Sequence, residues 1–320
     1  MNISVLGCGR WGTFIAWYIN KVGHQVMLWG RENSRNYHSL EVNRKNDYLS
    51  IPETIELTNS LETAVSFADT IIISISAQEL RSFAKQLNAL GGFQGKTFIL
   101  CMKGIEANSG KRLTQVFSEE VGKNVNIAIW VGPGHVQDFV NGIPNCMVIS
   151  SENIEVTKKI VNAFNSDLIR FYYGQDLIGN EIGAATKNVM GIAAGMLDGL
   201  HYSSLKGSLM ARGTREISRL VRAMGGNDIT IYGLSHLGDY EATLFSEHSH
   251  NRKFGQAYAQ GEKFDKLAEG VSTVKALKEL SIKYDVELPI SSALYEILFE
   301  EKNAKETLEN LFLRPVKFEF

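Results

Sequence analysis

The sequence predicts an α/β protein in which a doubly wound, mostly parallel sheet of the Rossmann type precedes an all-helical C-terminal domain. Strand-like and helix-like segments alternate through the first half of the 320 residues, as in a parallel sheet with crossover helices. From residue 179 to residue 288 the chain has no proline, and helical periodicity dominates. We therefore expect two domains, residues 1–178 and 179–320.

The chain opens with a predicted strand that runs directly into a glycine-rich turn. Residues 3–6 are apolar and β-prone, and residues 13–19 read as a helix. Between them, Gly7, Gly9 and Gly12 have the spacing GxGxxG. Gly7 permits a tight turn, Gly9 lets the backbone approach a pyrophosphate, and Gly12 allows close packing of helix on strand. The turn predicts dinucleotide binding at the helix N-terminus; a turn that binds nothing is the alternative.

The remaining elements follow from apolar runs and the residues that interrupt them. Predicted strands lie at residues 25–29, 70–75, 97–101, 126–131, 146–150 and 169–173. Predicted helices lie at residues 61–67, 78–90, 109–121 and 155–164 in the first domain, and at 180–200, 208–224, 273–284 and 291–300 in the second. The polar stretch 31–50 carries no predicted element. The continuous apolar run 70–75 indicates a strand buried on both faces of the sheet.

Composition excludes several classes of function. The chain is 44% hydrophobic and 21% charged, which is typical of a soluble globular protein. A net charge of −2 argues against nucleic acid as a partner. The three cysteines are widely spaced, which suits a reducing, cytoplasmic setting, and no cluster has the spacing of metal ligands. We expect neither a signal peptide nor a transmembrane segment.

Polar residues follow three predicted strands, at the sheet edge where ligands of such folds bind. Lys103 comes just after the strand at 97–101; a solvated surface lysine is the alternative. His135 follows the turn at 132–134, where a structural histidine is the more common outcome. Arg31 comes after the second strand, where an acidic residue would favour NAD; this arginine favours NADP through its 2′-phosphate, and a solvated loop arginine, with NAD as cofactor, is the alternative.

The helical half carries further candidates. Lys187 lies in an otherwise apolar helix, and because burial of a lysine is costly without a partner, it is a candidate general acid/base. The alternative is a lysine that extends to the surface. Asp239 and the polar run 249–253 could hold an anionic substrate, or belong to a charged loop.

Taken together, these segments resemble the bacterial NAD(P)-dependent glycerol-3-phosphate dehydrogenases over nearly the whole chain. The matching segments, in the family's order, are residues 7–13 (GCGRWGT), 103–106 (KGIE), 132–135 (GPGH), 181–189 (EIGAATKNV), 212–219 (RGTREISR), 237–239 (LGD), 249–255 (SHNRKFG) and 269–275 (EGVSTVK). So many ordered matches are far more specific than the glycine turn alone.

The resemblance implies an enzyme that interconverts sn-glycerol 3-phosphate and dihydroxyacetone phosphate, with Lys187 exchanging the proton on the C2 oxygen and Lys103 polarising that oxygen. Asp239 would orient the lysine. The implied substrate-binding residues are Lys103, Gly132, Gly134, Asn188, Thr243, Ser249, His250 and Asn251. The implied cofactor-binding residues are Gly7, Gly9, Arg10, Trp11, Gly12, Arg31, Lys103, Val136, His250 and Glu269.

Three departures from the family pattern bear on the substrate. His250 stands where the family has an arginine that clamps the substrate phosphate, and histidine cannot form a bidentate fork. Arg252 or Lys206 would then replace it. Gly134 replaces a serine or threonine that binds substrate, and residues 233–236 (GLSH) differ from the family's GLAGLG turn.

These departures keep two alternatives open: a paralogue that reduces a related phosphorylated polyol or keto substrate, and a dinucleotide-binding sensor without turnover. A 3-hydroxyacid or ketopantoate-type reductase is a further candidate, although residues 103–106 and 250–255 favour the phosphorylated polyol. The resemblance also implies a cytoplasmic homodimer that supplies glycerol 3-phosphate for phospholipid synthesis. The central expectation is that Lys103 and Lys187 converge on one oxygen beside the nicotinamide.

Overall fold

The computed structural model describes residues 1–316 and 318–319, and these fall into two compact units. Unit 1 comprises Met1–Lys103 and Lys111–Glu181, and unit 2 comprises Gly104–Gly110 and Ile182–Phe320. The segment 104–110 clusters with unit 2 because Asn108 accepts a hydrogen bond from Lys275 at 3.4 Å, and Gly110 packs against the side chain of Leu280.

Within the described residues, unit 1 is built on one eight-stranded sheet with the order β3-β2-β1-β4-β5-β6-β7-β8. The strands are β1 (Asn2–Leu6), β2 (Gln25–Trp29), β3 (Ile55–Thr58), β4 (Thr70–Ile73), β5 (Thr97–Leu100), β6 (Asn126–Val131), β7 (Asn145–Ser151) and β8 (Ile169–Gly174). All neighbours are parallel except β6 and β7, which are antiparallel. This strand order confirms the predicted doubly wound fold.

Helices connect these strands. They are α1 (Arg10–Lys21), α2 (Arg35–Asn43), α3 (Leu61–Phe67), α4 (Leu80–Leu90), α5 (Leu113–Val121), α6 (Val136–Val140) and α7 (Ile154–Phe164), with a 3₁₀ turn at Ala77–Glu79. Every residue of β4 is buried, as the apolar run predicted. Aromatic rings fill the core beside the sheet: the Tyr18 hydroxyl donates to the Phe164 carbonyl at 2.5 Å, and Trp130 packs edge-on against Tyr18.

The sequence-based prediction did not include β3 or α6, and two further details of it are wrong for unit 1. The helix predicted at 109–121 begins at Leu113, because Gly110 has a positive φ of 64° and Arg112 is extended. The backbone N–H of Arg112 donates to the Gln115 side chain, which closes the helix start. The stretch 31–50 contains α2, which Ser34 caps by accepting from the Tyr37 N–H.

Unit 2 is helical, as predicted. Its helices are α8 (Leu177–Gly199), which starts in unit 1, α9 (Lys206–Ala223), α10 (His250–Ala259), α11 (Glu269–Lys283), α12 (Pro289–Phe299) and α13 (Ala304–Asn310). Short 3₁₀ turns lie at Ser203–Leu205, Asp228–Tyr232, Leu237–Asp239 and Leu311–Leu313, and a π-helical turn at Glu241–Phe245. None of the helices in the described part of the chain combines the length and the apolar character that crossing a bilayer requires.

The central helix α8 is almost entirely buried, and its glycines set how closely other helices approach it. A Cβ on Gly195 would lie 1.9 Å from the carbonyl oxygen of Arg252, and one on Gly255 would lie 2.1 Å from that of Ile192. Because no side chain separates α8 from α10 there, the polar residues of both helices are brought close together.

Candidate functional site

The glycine turn, residues 7–12, joins β1 to α1. Gly7 has a φ of 120°, and a Cβ there would lie 2.1 Å from the carbonyl oxygen of Ser74 at the end of β4. A Cβ on Gly12 would lie 1.9 Å from the Gly7 carbonyl oxygen. By contrast, no described atom lies within 4 Å of a Cβ built on Gly9. The turn therefore excludes side chains at two glycines and keeps space above the third.

This arrangement fits the pyrophosphate of a dinucleotide. Helix α1 starts at Arg10, immediately after Gly9, and a glycine has no side-chain oxygen to cap the first N–H groups. Those N–H groups and the positive end of the helix dipole attract an anion. The Thr13 hydroxyl donates to the Cys8 carbonyl at 3.0 Å, which fixes the first turn of the helix.

Arg10 and Trp11 extend the glycine turn towards α6. The Arg10 guanidinium donates to the Gln137 side chain at 2.7 Å, and burial lowers the pKa of Arg10, although an arginine stays charged. The Trp11 ring packs against Phe139, with ring centroids 6.4 Å apart. Val136 is almost fully buried at the start of α6, so its contact with a cofactor stays a prediction.

The ribose end of the predicted cofactor site lies after β2. A Cβ on Gly30 would lie 2.6 Å from both the Cys8 sulfur and a ring carbon of Tyr37, so the chain passes tightly there. Burial raises the pKa of the Cys8 thiol, which fits a packing role better than a nucleophilic one. Arg31 follows and is exposed, in a position to meet a phosphate from solvent.

Lys103 is partly buried beyond β5 rather than fully solvated. Its ammonium donates to the Gly132 carbonyl at 2.8 Å. Burial raises the pKa of the nearby Cys101 thiol, and the positive charge of Lys103 partly offsets that rise. The structure thereby brings Lys103 together with the turn at Gly132, which the sequence placed 29 residues later.

The turn after β6 has a structural reason to contain glycine. Gly132 and Gly134 have φ values of 133° and 139°. A Cβ on Gly134 would lie 2.3 Å from the ring of Phe139. The ring of Phe139 therefore occupies the space that the side chain of the family's serine or threonine would need at position 134. His135, just before α6, is only partly exposed.

In unit 2, Lys187 is buried and paired, so it does not extend to the surface. Its side chain is 8% exposed, and its ammonium lies 2.5 Å from Oδ2 of Asp239, which is 1% exposed. The ammonium also donates to the Thr243 hydroxyl at 2.9 Å, and that hydroxyl donates to the Asp239 carbonyl at 2.7 Å. We call Lys187, Asp239 and Thr243 the lysine cluster.

Three polar side chains assigned to substrate or cofactor by the resemblance lie where α8, α10 and α11 approach one another. Asn251 accepts a hydrogen bond from the Gly270 N–H at 2.9 Å, which ties α10 to the start of α11. A Cβ on Gly270 would lie 2.8 Å from the carbonyl oxygen of Asn188. Asn188 is buried, and Glu269, the first residue of α11, is half-buried.

His250 is held by its own unit. Because a carbonyl oxygen only accepts, the His250 Nδ1 donates to the Leu267 carbonyl at 3.3 Å, and its ring lies edge-on to Phe264. Ser249, directly before it, caps α10 by accepting from the Arg252 N–H at 3.3 Å. With Nδ1 donating to the Leu267 carbonyl, only Nε2 is left for a phosphate clamp at this position, and Nε2 donates only when the imidazole is protonated.

The two cations considered as replacements for the family arginine share a carboxylate. Arg252 Nε and Lys206 Nζ lie 2.6 and 2.7 Å from Oδ2 of Asp198. Burial raises the pKa of Asp198, but hydrogen bonds from Lys206, Ser203 and Arg252 outweigh it, and the pKa is lowered. Asp198 is thus a charged anchor for both cations, and no residue pattern in the sequence pointed to it.

Sequence reasoning also missed the buried pair His236 and Tyr240, which lies beside the lysine cluster. The Tyr240 hydroxyl and His236 Nε2 are 2.6 Å apart, and neither residue is exposed. The available signal was a histidine in a glycine-rich turn just before Asp239. Lys103 and Lys187 belong to different units, and their convergence on one oxygen stays a prediction.

Comparisons with known proteins cover nearly the whole chain. The family described as NAD-dependent glycerol-3-phosphate dehydrogenase matches with its N-terminal part at residues 2–157 and its C-terminal part at residues 176–309. Glycerol-3-phosphate dehydrogenase, NAD(P)+, of Clostridium botulinum (strain Alaska E43) is 38% identical over 99% of both chains. The enzyme of the same name from Fusobacterium nucleatum is 36% identical over 100% of this chain and 98% of its own. The crystal structure of glycerol-3-phosphate dehydrogenase from Coxiella burnetii has a TM-score of 0.90 and 27% identity, over 98% of this chain and 99% of its own.

Proposed function

The chain belongs to the NAD(P)-dependent glycerol-3-phosphate dehydrogenase family, and we propose that it interconverts sn-glycerol 3-phosphate and dihydroxyacetone phosphate. The observation that carries this proposal is the lysine cluster: a buried ammonium on helix α8 is held by the buried carboxylate of Asp239. Such a group exchanges protons and stabilises negative charge far better in a dry site than in water.

Lys187 acts as the proton donor when the ketone is reduced and as the acceptor in the reverse direction. In the reduction, negative charge develops on the C2 oxygen, and the Lys187 ammonium stabilises that charge and transfers a proton to it. Asp239 and Thr243 hold the ammonium through contacts of 2.5 and 2.9 Å, so its direction is fixed before the substrate arrives.

The remaining substrate contacts are assigned by the family pattern. Lys103 binds the substrate and polarises the C2 oxygen, and Asn188 orients the polyol. Asn251, whose side-chain oxygen accepts from the Gly270 N–H at 2.9 Å, binds the phosphate with its amide. His250, when protonated, adds a single hydrogen bond from Nε2 to the phosphate in place of a guanidinium fork, since its Nδ1 donates to the Leu267 carbonyl.

The glycine turn holds the cofactor. When bound, the nicotinamide supplies or accepts the hydride at the C2 carbon. Gly9 gives the backbone N–H groups of α1 access to the pyrophosphate, since a Cβ there meets open space. Arg10, Trp11 and Glu269 contact the rest of the dinucleotide.

One assay tests the proposal directly. Purified protein is mixed with dihydroxyacetone phosphate and either NADH or NADPH, and absorbance of the reduced nicotinamide is followed. We expect turnover with at least one cofactor, and a loss of about 10²- to 10⁴-fold in kcat for Lys187→Met, the range for removal of a general acid/base. The exposed Lys283 provides the matched control, and Lys283→Met should retain wild-type kcat.

The assay also separates the alternatives. A protein that binds both cofactors and turns over no phosphorylated ketone would be a sensor. Turnover of another phosphorylated keto substrate in preference to dihydroxyacetone phosphate would indicate a paralogue, and turnover of ketopantoate would indicate a reductase of that type. Wild-type kcat in Lys187→Met would contradict the role of this lysine.

The enzyme uses NAD or NADP, and we infer a preference for NADP from Arg31. An exposed guanidinium after β2 can pair with the 2′-phosphate that distinguishes NADP. Arg31→Ala should raise KM for NADPH about 10-fold and leave KM for NADH within about 2-fold. Equal changes for both cofactors would contradict this preference.

We also infer a cytoplasmic homodimer whose glycerol 3-phosphate serves phospholipid synthesis. Membership of the family supports this inference. Light scattering of the purified protein tests the assembly: twice the mass of the chain supports a dimer, and the mass of one chain contradicts it.

A further inference from the structure

We propose that His236 and Tyr240 are positioning residues for Lys187: their hydrogen bond ties the turn that carries Asp239 to the turn of α8 that carries the lysine. The inference rests on the proposed function, because it assigns the pair a role in proton transfer at that site. It concerns His236, which lies in the turn where the resembling family has the glycine-rich sequence GLAGLG, and Tyr240, which comes two residues after that turn.

The imidazole of His236 is anchored on α8 through one nitrogen. Nδ1 lies 2.9 Å from the Gly183 carbonyl and 3.3 Å from the Thr186 hydroxyl. The Thr186 hydroxyl itself donates to the Ile182 carbonyl at 2.7 Å. Since a carbonyl oxygen only accepts, the proton of the ring is on Nδ1, and Nε2 is left as an acceptor.

Tyr240 supplies the donor that Nε2 requires. Its hydroxyl lies 2.6 Å from Nε2, and the two rings meet edge-on with centroids 4.8 Å apart. Both residues are fully buried. The Thr214 hydroxyl, on α9, donates to the tyrosine oxygen at 3.5 Å and extends the chain of bonds to a third element. Each polar atom of the ring is thus paired in a dry environment.

The hydrogen-bonded pair connects the segments that carry Lys187 and Asp239. On α8, Gly183 lies one turn before Lys187 and Thr186 lies directly before it. Tyr240 directly follows Asp239. A Cβ on Gly183 would lie 3.1 Å from the His236 Cβ, so the turn and the helix are already in close contact. Movement of this turn would lengthen the 2.5 Å contact between ammonium and carboxylate. Proton transfer depends on such distances at the scale of one ångström.

The charge state of His236 agrees with this role. Burial lowers its pKa to about 4; the nearby positive charge of Lys187 also lowers it, whereas hydrogen bonding to the Gly183 carbonyl and the charge of Asp239 act in the opposite direction. Near neutral pH the ring is therefore uncharged and accepts from Tyr240. Burial also raises the pKa of the Tyr240 phenol, so its hydrogen stays on the donor.

The test is a double-mutant cycle with kinetics. Tyr240→Phe removes the hydroxyl with almost no change in volume. His236→Asn retains a donor on the side of the Gly183 carbonyl and lacks the acceptor for Tyr240. We measure kcat and KM for dihydroxyacetone phosphate, the pH dependence of kcat, and the melting temperature, for both single variants and for the double variant.

We expect each single variant to lower kcat about 3- to 10-fold, with KM for the reduced cofactor within about 2-fold of wild type. The pH at which kcat titrates should fall, because a lysine held less firmly by a carboxylate keeps its proton less tightly. The double variant should be no slower than the slower single variant, since both changes delete the same hydrogen bond.

The matched control is Tyr18→Phe, which deletes another buried tyrosine hydroxyl bond, in unit 1. It should lower the melting temperature and leave kcat and its pH profile unchanged. If Tyr240→Phe behaves in the same way, the pair is merely structural and the inference is overturned. An inactive wild-type protein would count against the proposed function, whereas an active wild type with unaffected variants would count against this inference alone.

Discussion

The glycine turn of unit 1 and the lysine cluster of unit 2 are built from different parts of the polypeptide. The glycine turn is made of backbone and spans six consecutive residues, 7–12. Its ability to bind a phosphate depends on the absence of side chains at its three glycines. The lysine cluster is made of side chains from positions 187, 239 and 243, which are separated by up to 56 residues.

The two sites are therefore sensitive to opposite kinds of substitution. Adding atoms damages the glycine turn, because a Cβ on Gly12 would lie 1.9 Å from a carbonyl oxygen. Removing or neutralising a group damages the lysine cluster, because it leaves a buried charge without its partner.

The largest effect is expected for Asp239→Asn. The substitution keeps the size of the side chain and removes the negative charge 2.5 Å from the Lys187 ammonium. Breaking a buried pair in this way should lower the free energy of unfolding by about 3–5 kcal/mol, as measured by urea denaturation, and kcat should fall about 10²-fold or more.

The matched control for Asp239→Asn is Glu155→Gln, which removes one partner of an exposed ion pair with Lys158. That change should have far less effect on stability than Asp239→Asn and leave kcat unchanged, because exposed pairs contribute little. Equal costs at the two positions would mean that burial of the lysine cluster has no energetic consequence.

The next effect concerns the acid sensitivity of unit 2. The folded chain holds His236 neutral down to a pH of about 4, whereas an unfolded histidine takes up a proton near pH 6.5. The contribution of this group to stability is therefore complete above pH 6.5 and is lost as the pH falls towards 4, to a total of about 3 kcal/mol.

The measurement is urea unfolding at pH 7 and at pH 4.5, for the wild type and for His236→Asn. Lys187, Asp239 and Tyr240 face the ring and are common to both proteins. The variant should lose less stability than the wild type over this range. Parallel losses would show that the imidazole does not contribute to the acid sensitivity.

A smaller effect is expected when alanine replaces either of two glycines in the glycine turn, Gly12 and Gly9. Gly12→Ala should lower the free energy of unfolding by about 1–3 kcal/mol, because its methyl group overlaps the Gly7 carbonyl. Gly9→Ala meets open space and has a φ of −72°, so its stability should match wild type while cofactor affinity falls. Thermal melts and cofactor titration followed by tryptophan fluorescence distinguish the two; a destabilised Gly9→Ala would contradict the proposed phosphate space.

The smallest effect is expected for His250→Arg. A guanidinium at this position restores the fork found in the family, so KM for dihydroxyacetone phosphate should fall a few-fold, about 2- to 10-fold, with kcat nearly unchanged. Steady-state kinetics at saturating cofactor measure it. An unchanged or higher KM would mean that the imidazole is not a weakened phosphate clamp.

The sequence predicted unit 1 well because its elements are encoded locally. An apolar run and a glycine spacing specify β1, the glycine turn and α1 within 21 residues. The prediction was wrong where the local residue pattern does not indicate the element that forms. Helix α2 is polar on most of its surface and shows little apolar periodicity, and the start of α5 is delayed by the conformation of Gly110.

The candidate site of unit 2 was predictable only in part. An apolar helix with one lysine indicates that Lys187 needs a partner, since burial of an unpaired charge is costly. Family resemblance pointed to Asp239, but nothing in the sequence pattern indicated that Asp198 would bind both Lys206 and Arg252.

Most of the alternating strands and helices of unit 1, the glycine turn and the family of this chain could be predicted from the residues, because those depend on residues that are neighbours or on matching segments. Only the folded chain shows which carboxylate meets which cation, and that His236 bonds to α8 on one side and to Tyr240 on the other. The physical reason is that a buried charge or ring nitrogen is satisfied by whatever packing brings within about 3 Å, and packing joins residues that are distant along the chain.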